Sequence, residues 1–138
     1  MARLPWSTDG VTVEAMPAIR RLALGFGLVY LGATVLGILP PIGGTLGTQT
    51  SWVLHVAPVN LSSNVLHAAI AFLGILASGR NGTSRAYARV MGLFLCGIGV
   101  LGLVHDNPWG LIPLGGVMFV LHLLTGGLAL YYGFAPED

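Results

Sequence analysis

The chain has 138 residues, of which 54% are hydrophobic and 8% charged, with net charge +1 and mean hydropathy +0.81. A soluble domain carries about 25% charged residues, so a water-facing globule is excluded and the bulk of the chain is expected in lipid. Near-neutral charge excludes a nucleic-acid partner, which would need a dense basic face. The single cysteine, Cys96, excludes an intrachain disulfide.

Residues 1–21 read as a short cytoplasmic N-terminal tail, with Trp6 and Val11-Thr12-Val13 resting on the membrane surface and no cleavable signal peptide. The first span is expected over 22–39, an uncharged run ended by Pro40-Pro41. About 20 apolar residues cross the hydrocarbon core. Residues 41–59, rich in Gly and Thr, read as a plain connecting loop, with Trp52 and His55 at headgroup level. The second span is expected over 61–78, closed by the turn signal Gly79-Arg80-Asn81-Gly82. The third follows over 86–104, with Arg89 near its start and able to snorkel outward. A turn at His105-Asp106-Asn107-Pro108-Trp109-Gly110 leads to the fourth span over 111–134 and a cytoplasmic tail over 135–138.

The expected fold class is therefore all-α, an integral membrane four-helix bundle. Four crossings place both termini and the Arg80–Arg89 turn on one side, and all six arginines lie there. By the positive-inside rule that side is cytoplasmic. Arg20 to Pro40 and Arg85 to Asp106 each run from arginine through Gly-rich apolar sequence to a breaker, and each is followed by a histidine-bearing helix. This predicts two pseudo-repeated transmembrane hairpins related by an axis along the membrane normal, with His67 and His122 at similar depth near the outer leaflet.

Asn60, Asn64 and His67 fall at i, i+4, i+7, one helical face that continues as Ala71 and Gly74. Ionisable groups inside spans face the bundle interior and need partners. One reading makes His67 and His122 cofactor-binding residues, two imidazoles clasping a haem b iron or one holding a (bacterio)chlorophyll-type pigment. The plainer reading makes them interhelical hydrogen-bonders, with Asn60, Asn64, Thr34 or Thr125 as partners. Asn60 also suits a helix N-cap, so Asn60, Asn64 and Thr125 are expected as a structural polar face. No catalytic residues and no metal ligands are expected, because no nucleophile is paired with a base and every carboxylate lies in a tail or turn.

At these residues the chain resembles a bacterial membrane family known only as a domain of unknown function. Its members have four helices, the second opening on Pro-x-Asn-x-x-His-Asn-x-x-His and the fourth on Pro-Leu-x-Gly-x-Asp-x-x-Leu-His. Here the first motif is Pro58, Asn60, Ser63, Asn64 and His67, with serine in place of the first histidine. The second is Pro113, Leu114, Gly116, Met118, Leu121 and His122, with methionine in place of the aspartate. The resemblance covers roughly Arg21 to Phe134 and implies a membrane-embedded four-helix fold without an assigned activity.

Small residues Gly25, Gly32, Gly37, Gly92, Gly97, Gly99 and Gly102 mark helix–helix contacts, either inside the bundle or with another membrane protein. The expected function is non-enzymatic: a small accessory subunit packing against lipid and the other subunits of a photosynthetic or respiratory membrane complex. The haem- or pigment-binding protein is the alternative, and a small channel or carrier the second alternative.

Overall fold

The computed structural model describes residues 16–136, and the stretch around Trp6 and Val11–Val13, together with Arg3 and the last two residues, lies outside them. Four α-helices dominate: α1 Ala18–Gly37, α2 Leu61–Ala77, α3 Asn81–Val104 and α4 Met118–Phe134. Of these, α1 and α3 are long and apolar enough to cross a membrane, while α2 and α4 are apolar but shorter, at 17 residues each. Pro17 opens α1, where its fixed φ suits a helix start and its missing N–H costs nothing.

Helices α1 and α2 pack antiparallel through small residues. A Cβ on Gly27 would come within 2.7 Å of Ile75 and 3.0 Å of the Ala71 carbonyl, and one on Gly74 within 2.8 Å of the Ala23 carbonyl. Helices α3 and α4 meet in the same manner: Gly92 lies against Leu130, Gly99 against Leu123, and Gly126 against Cys96. Close backbone approach is what glycine permits and any larger side chain prevents. Between the two hairpins, α1 also packs on α3, and the core they enclose contains Ala23, Phe26, Tyr30, Ile70, Ala71, Tyr87, Leu95 and Ala129. The buried Tyr87 hydroxyl donates to the Ile70 carbonyl (3.0 Å), satisfying itself across the α2–α3 seam.

At one end of the bundle, arginines close the helix C-termini. Arg20 Nε donates to the Ser78 carbonyl (2.7 Å), Arg89 Nε to the Gly133 carbonyl (2.8 Å), and Arg85 to the Ala135 carbonyl. These carbonyls have no intrahelical donor, and the cations also meet the negative end of the helix dipole. Arg89, expected to snorkel outward, is exposed, ties α3 to the end of α4 and stacks over the Phe134 ring at 4.8 Å.

Three elements differ from the sequence-based expectation. Helix α3 begins at Asn81, so Asn81 and Gly82 are helical and not part of the turn. Thr83 and Ser84 hydroxyls donate to the carbonyls of Ala77 and Arg80, which stabilises this early first turn. The 41–59 connection is not a plain loop: strands β1 Ser51–Val53 and β2 Ala57–Val59 pair antiparallel, with Ser51 opposite Val59 and Val53 opposite Ala57. Its turn places Leu54 and His55 at φ 51° and 61°, positions that hairpins usually give to Asn and Gly. Finally, α4 begins at Met118 and not Leu111, because Pro113 lacks a donor and Gly116 turns left-handed at φ +65°. The Leu114 amide bonds the Asp106 carbonyl at 2.6 Å instead.

Candidate functional site

The end opposite the arginines gathers the residues singled out in the sequence. Asn60 is the N-cap of α2: its side chain accepts from the Ser63 amide, and the Ser63 hydroxyl accepts from the Asn60 amide, forming a capping box. The Asn60 amide group also donates to the carbonyls of Leu111 (2.9 Å) and Thr48 (3.4 Å), drawing both connectors onto the start of α2. Asn64, one turn on, donates to Gly37 (2.9 Å) and Thr45 (2.8 Å) carbonyls and so seals the C-terminus of α1.

None of the partners considered for the histidines bonds to them. The asparagine amides serve backbone carbonyls freed at helix ends. Thr34 donates back to Tyr30 and Thr125 back to Leu121, the usual recourse of a helical threonine hydroxyl. The Nδ1 atoms of His67 and His122 are both buried without a hydrogen-bond partner, and His122 is only 7% exposed. The interhelical hydrogen-bonding role expected of these two residues is therefore not what the structure builds.

The structure does bring His67 and His122 together. Helices α2 and α4 are not closely packed on each other, and two cavities lie between them. The smaller, about 20 Å³, is walled by Ser63, Ile70, Phe94 and Pro113. The larger, about 260 Å³, reaches toward α1 and the hairpin, past Tyr30, Gly37, Val53 and Thr125. Three residues line both: His67, Met118 and His122. The Tyr30 ring stacks obliquely on His67 with centroids 5.4 Å apart, and it lines the larger cavity together with Thr125.

Sequence reasoning missed Tyr30 and Met118 as site residues. Tyr30 sits in an uninterrupted apolar run, and its only signal was an aromatic residue on the inner face of α1. Met118 stood one turn before His122, at i, i+4 on the same face. Ser63 and Met118, the two departures from the motifs quoted above, both face the smaller cavity.

A tetrapyrrole does not fit. Both histidines border both cavities, and the smaller of these has room for about one small molecule. The larger cavity, at about 260 Å³, is below the range of roughly 300–1,000 Å³ that holds even a drug-sized ligand.

No curated protein and no solved structure matches the chain. The two helical hairpins, the asparagine caps and the two histidines all fall within residues 20–135, which fit the domain of unknown function DUF4383, and the chain belongs to that family.

Proposed function

We propose that this is a four-span protein of the bacterial cytoplasmic membrane, with both ends cytoplasmic, acting without catalysis as a small accessory subunit docked on a larger membrane complex. The observation that carries the docking role is a division among the glycines. Gly27, Gly74, Gly92, Gly99 and Gly126 are filled by a neighbouring helix, whereas Gly25 and Gly32 on α1, Gly97 on α3 and Gly127 on α4 face open space. A glycine facing lipid packs nothing and weakens its helix by about 1 kcal/mol relative to alanine. It becomes favourable when a helix of another subunit comes close.

The two-hairpin architecture supports the same reading. Gly27 meets Ile75 as Gly92 meets Leu130, and Arg20 and Arg85 both reach a carbonyl just beyond the helix that follows. Gly32 and Gly97 stand one turn and a half further along their helices from Gly27 and Gly92, and both are open. Large apolar side chains such as Leu28, Val29, Phe72, Leu93, Val100 and Leu124 cover the outside of the helices. At 17 residues, α2 and α4 reach only about 25 Å against a hydrocarbon core of about 30 Å. The shortfall falls at the histidine end, where Asn60, Pro113 and Leu114 are buried and the connecting backbone is hydrogen-bonded within the protein, as lipid requires.

The test is native purification in mild detergent of the wild type and a Gly32→Leu/Gly97→Leu double variant. The wild type is expected to co-migrate with a defined set of membrane subunits, and the variant to be released from them while remaining monodisperse and as heat-stable as before. A wild type that runs alone, or a variant that stays in the complex, would end the docking reading.

A further inference from the structure

Beyond that docking role, we propose that His67, His122 and Met118 form a binding site for a single cuprous ion. Three observations converge on it. These are the residues that border both cavities, and the smaller cavity, about 20 Å³, accommodates one guest the size of a water. Both imidazoles present a buried Nδ1 with no partner, and His122 is 93% withdrawn from solvent with its ring against that space. The neighbouring hydroxyls do not compete, because Ser63 donates to the Asn60 carbonyl and Thr125 to the Leu121 carbonyl.

The donor set selects the ion. Two imidazoles and a thioether are all uncharged, and among the described residues no three histidine, cysteine or carboxylate side chains are grouped. A divalent cation here would bring two positive charges into an apolar wall with no anion to offset them, which is expensive. Zinc sites are commonly four-coordinate and draw on thiolate, imidazole or carboxylate. A monovalent soft cation halves the buried charge, and thioether ligation favours Cu(I). Met118 and His122, at i, i+4 on α4, offer two donors from one helical face, and His67 adds the third from α2. The larger cavity provides the approach, since it touches the same three side chains.

The experiment titrates the full chain in detergent with Cu(I), supplied anaerobically as its acetonitrile complex, against the chromophoric chelator bicinchoninate. Wild type is expected to withhold one equivalent, with X-ray absorption showing nitrogen ligands and one sulfur ligand. Met118→Leu, which conserves volume and should fold, is expected to weaken the affinity at least tenfold and remove the sulfur scatterer. His67→Gln and His122→Gln should each abolish binding. The proposal is overturned if the wild type withholds no copper, if Met118→Leu binds as tightly as wild type with an unchanged spectrum, or if equimolar Zn²⁺ displaces the copper. A solvent molecule bridging the two imidazoles would give the first of those results.

Discussion

The two ends of the bundle are built on opposite plans. At the arginine end the polypeptide turns within Ser78–Arg80, and Arg20, Arg85 and Arg89 close the carbonyls of neighbouring helix termini. At the histidine end α2 and α4 stop short, a strand pair and two irregular connectors take over, and Asn60 and Asn64 bond the backbone these leave open. The same chemical problem, carbonyls without donors, is solved once with charged guanidinium groups and once with neutral amides. The difference teaches where function can reside. At the arginine end three guanidinium groups reach carbonyls of a neighbouring helix terminus, whereas the histidine end keeps two imidazoles whose buried Nδ1 has no partner beside a cavity.

The contrast can be broken most severely at the helix seams that join the two ends. Gly126→Leu would push a side chain into the Cys96 amide and the Gly92 carbonyl, 2.7 and 3.0 Å from the first added carbon. A loss of about 3 kcal/mol or more is expected, read as unfolding at lower SDS fraction by tryptophan fluorescence. The adjacent Gly127→Leu, facing open space, should shift the same curve by no more than about 0.5 kcal/mol. Equal effects from the two would mean that α4 does not turn Gly126 toward α3 and Gly127 away from it.

Asn64→Ala probes the histidine end alone. It leaves the half-buried Thr45 carbonyl without a donor and takes one of two donors from the Gly37 carbonyl, which keeps the Thr45 amide at 2.7 Å, a cost of about 1–2 kcal/mol. Hydrogen exchange should report the loss as faster opening of the 37–53 region, with the Arg20–Ser78 contact at the far end unaffected. Smallest of all is His122→Leu. Because its Nδ1 has no partner, replacing the imidazole with a hydrocarbon should leave the metal-free protein unchanged or more stable by up to about 1 kcal/mol. A clear loss of stability in the same SDS titration would show that His122 carries a structural hydrogen bond after all.

Much of this was legible in the residues. Prolines at 40, 41 and 108 and the Gly79–Gly82 stretch marked the breaks between four apolar segments, and Asn60 before Leu61 marked a helix start. Other features were hidden for physical reasons. The hairpin turn uses Leu54 and His55 where its geometry calls for Asn and Gly, so no local signal announced it. The start of α4 was misjudged because Leu111–Val117 is as apolar as a helix, and its bonding to Asp106 is a contact between segments.

Local chemistry, then, determined an apolar chain broken into four helical segments, with one histidine in each of the second and fourth. These are short-range properties, written in hydropathy, propensity and turn residues. Only the tertiary structure decided which glycines are filled and which are open, that the asparagines serve backbone carbonyls and not the imidazoles, and that Met118 joins His67 and His122 around a shared cavity. Each of those depends on how one helix is rotated against another, and no pattern along a single strand of sequence encodes that angle.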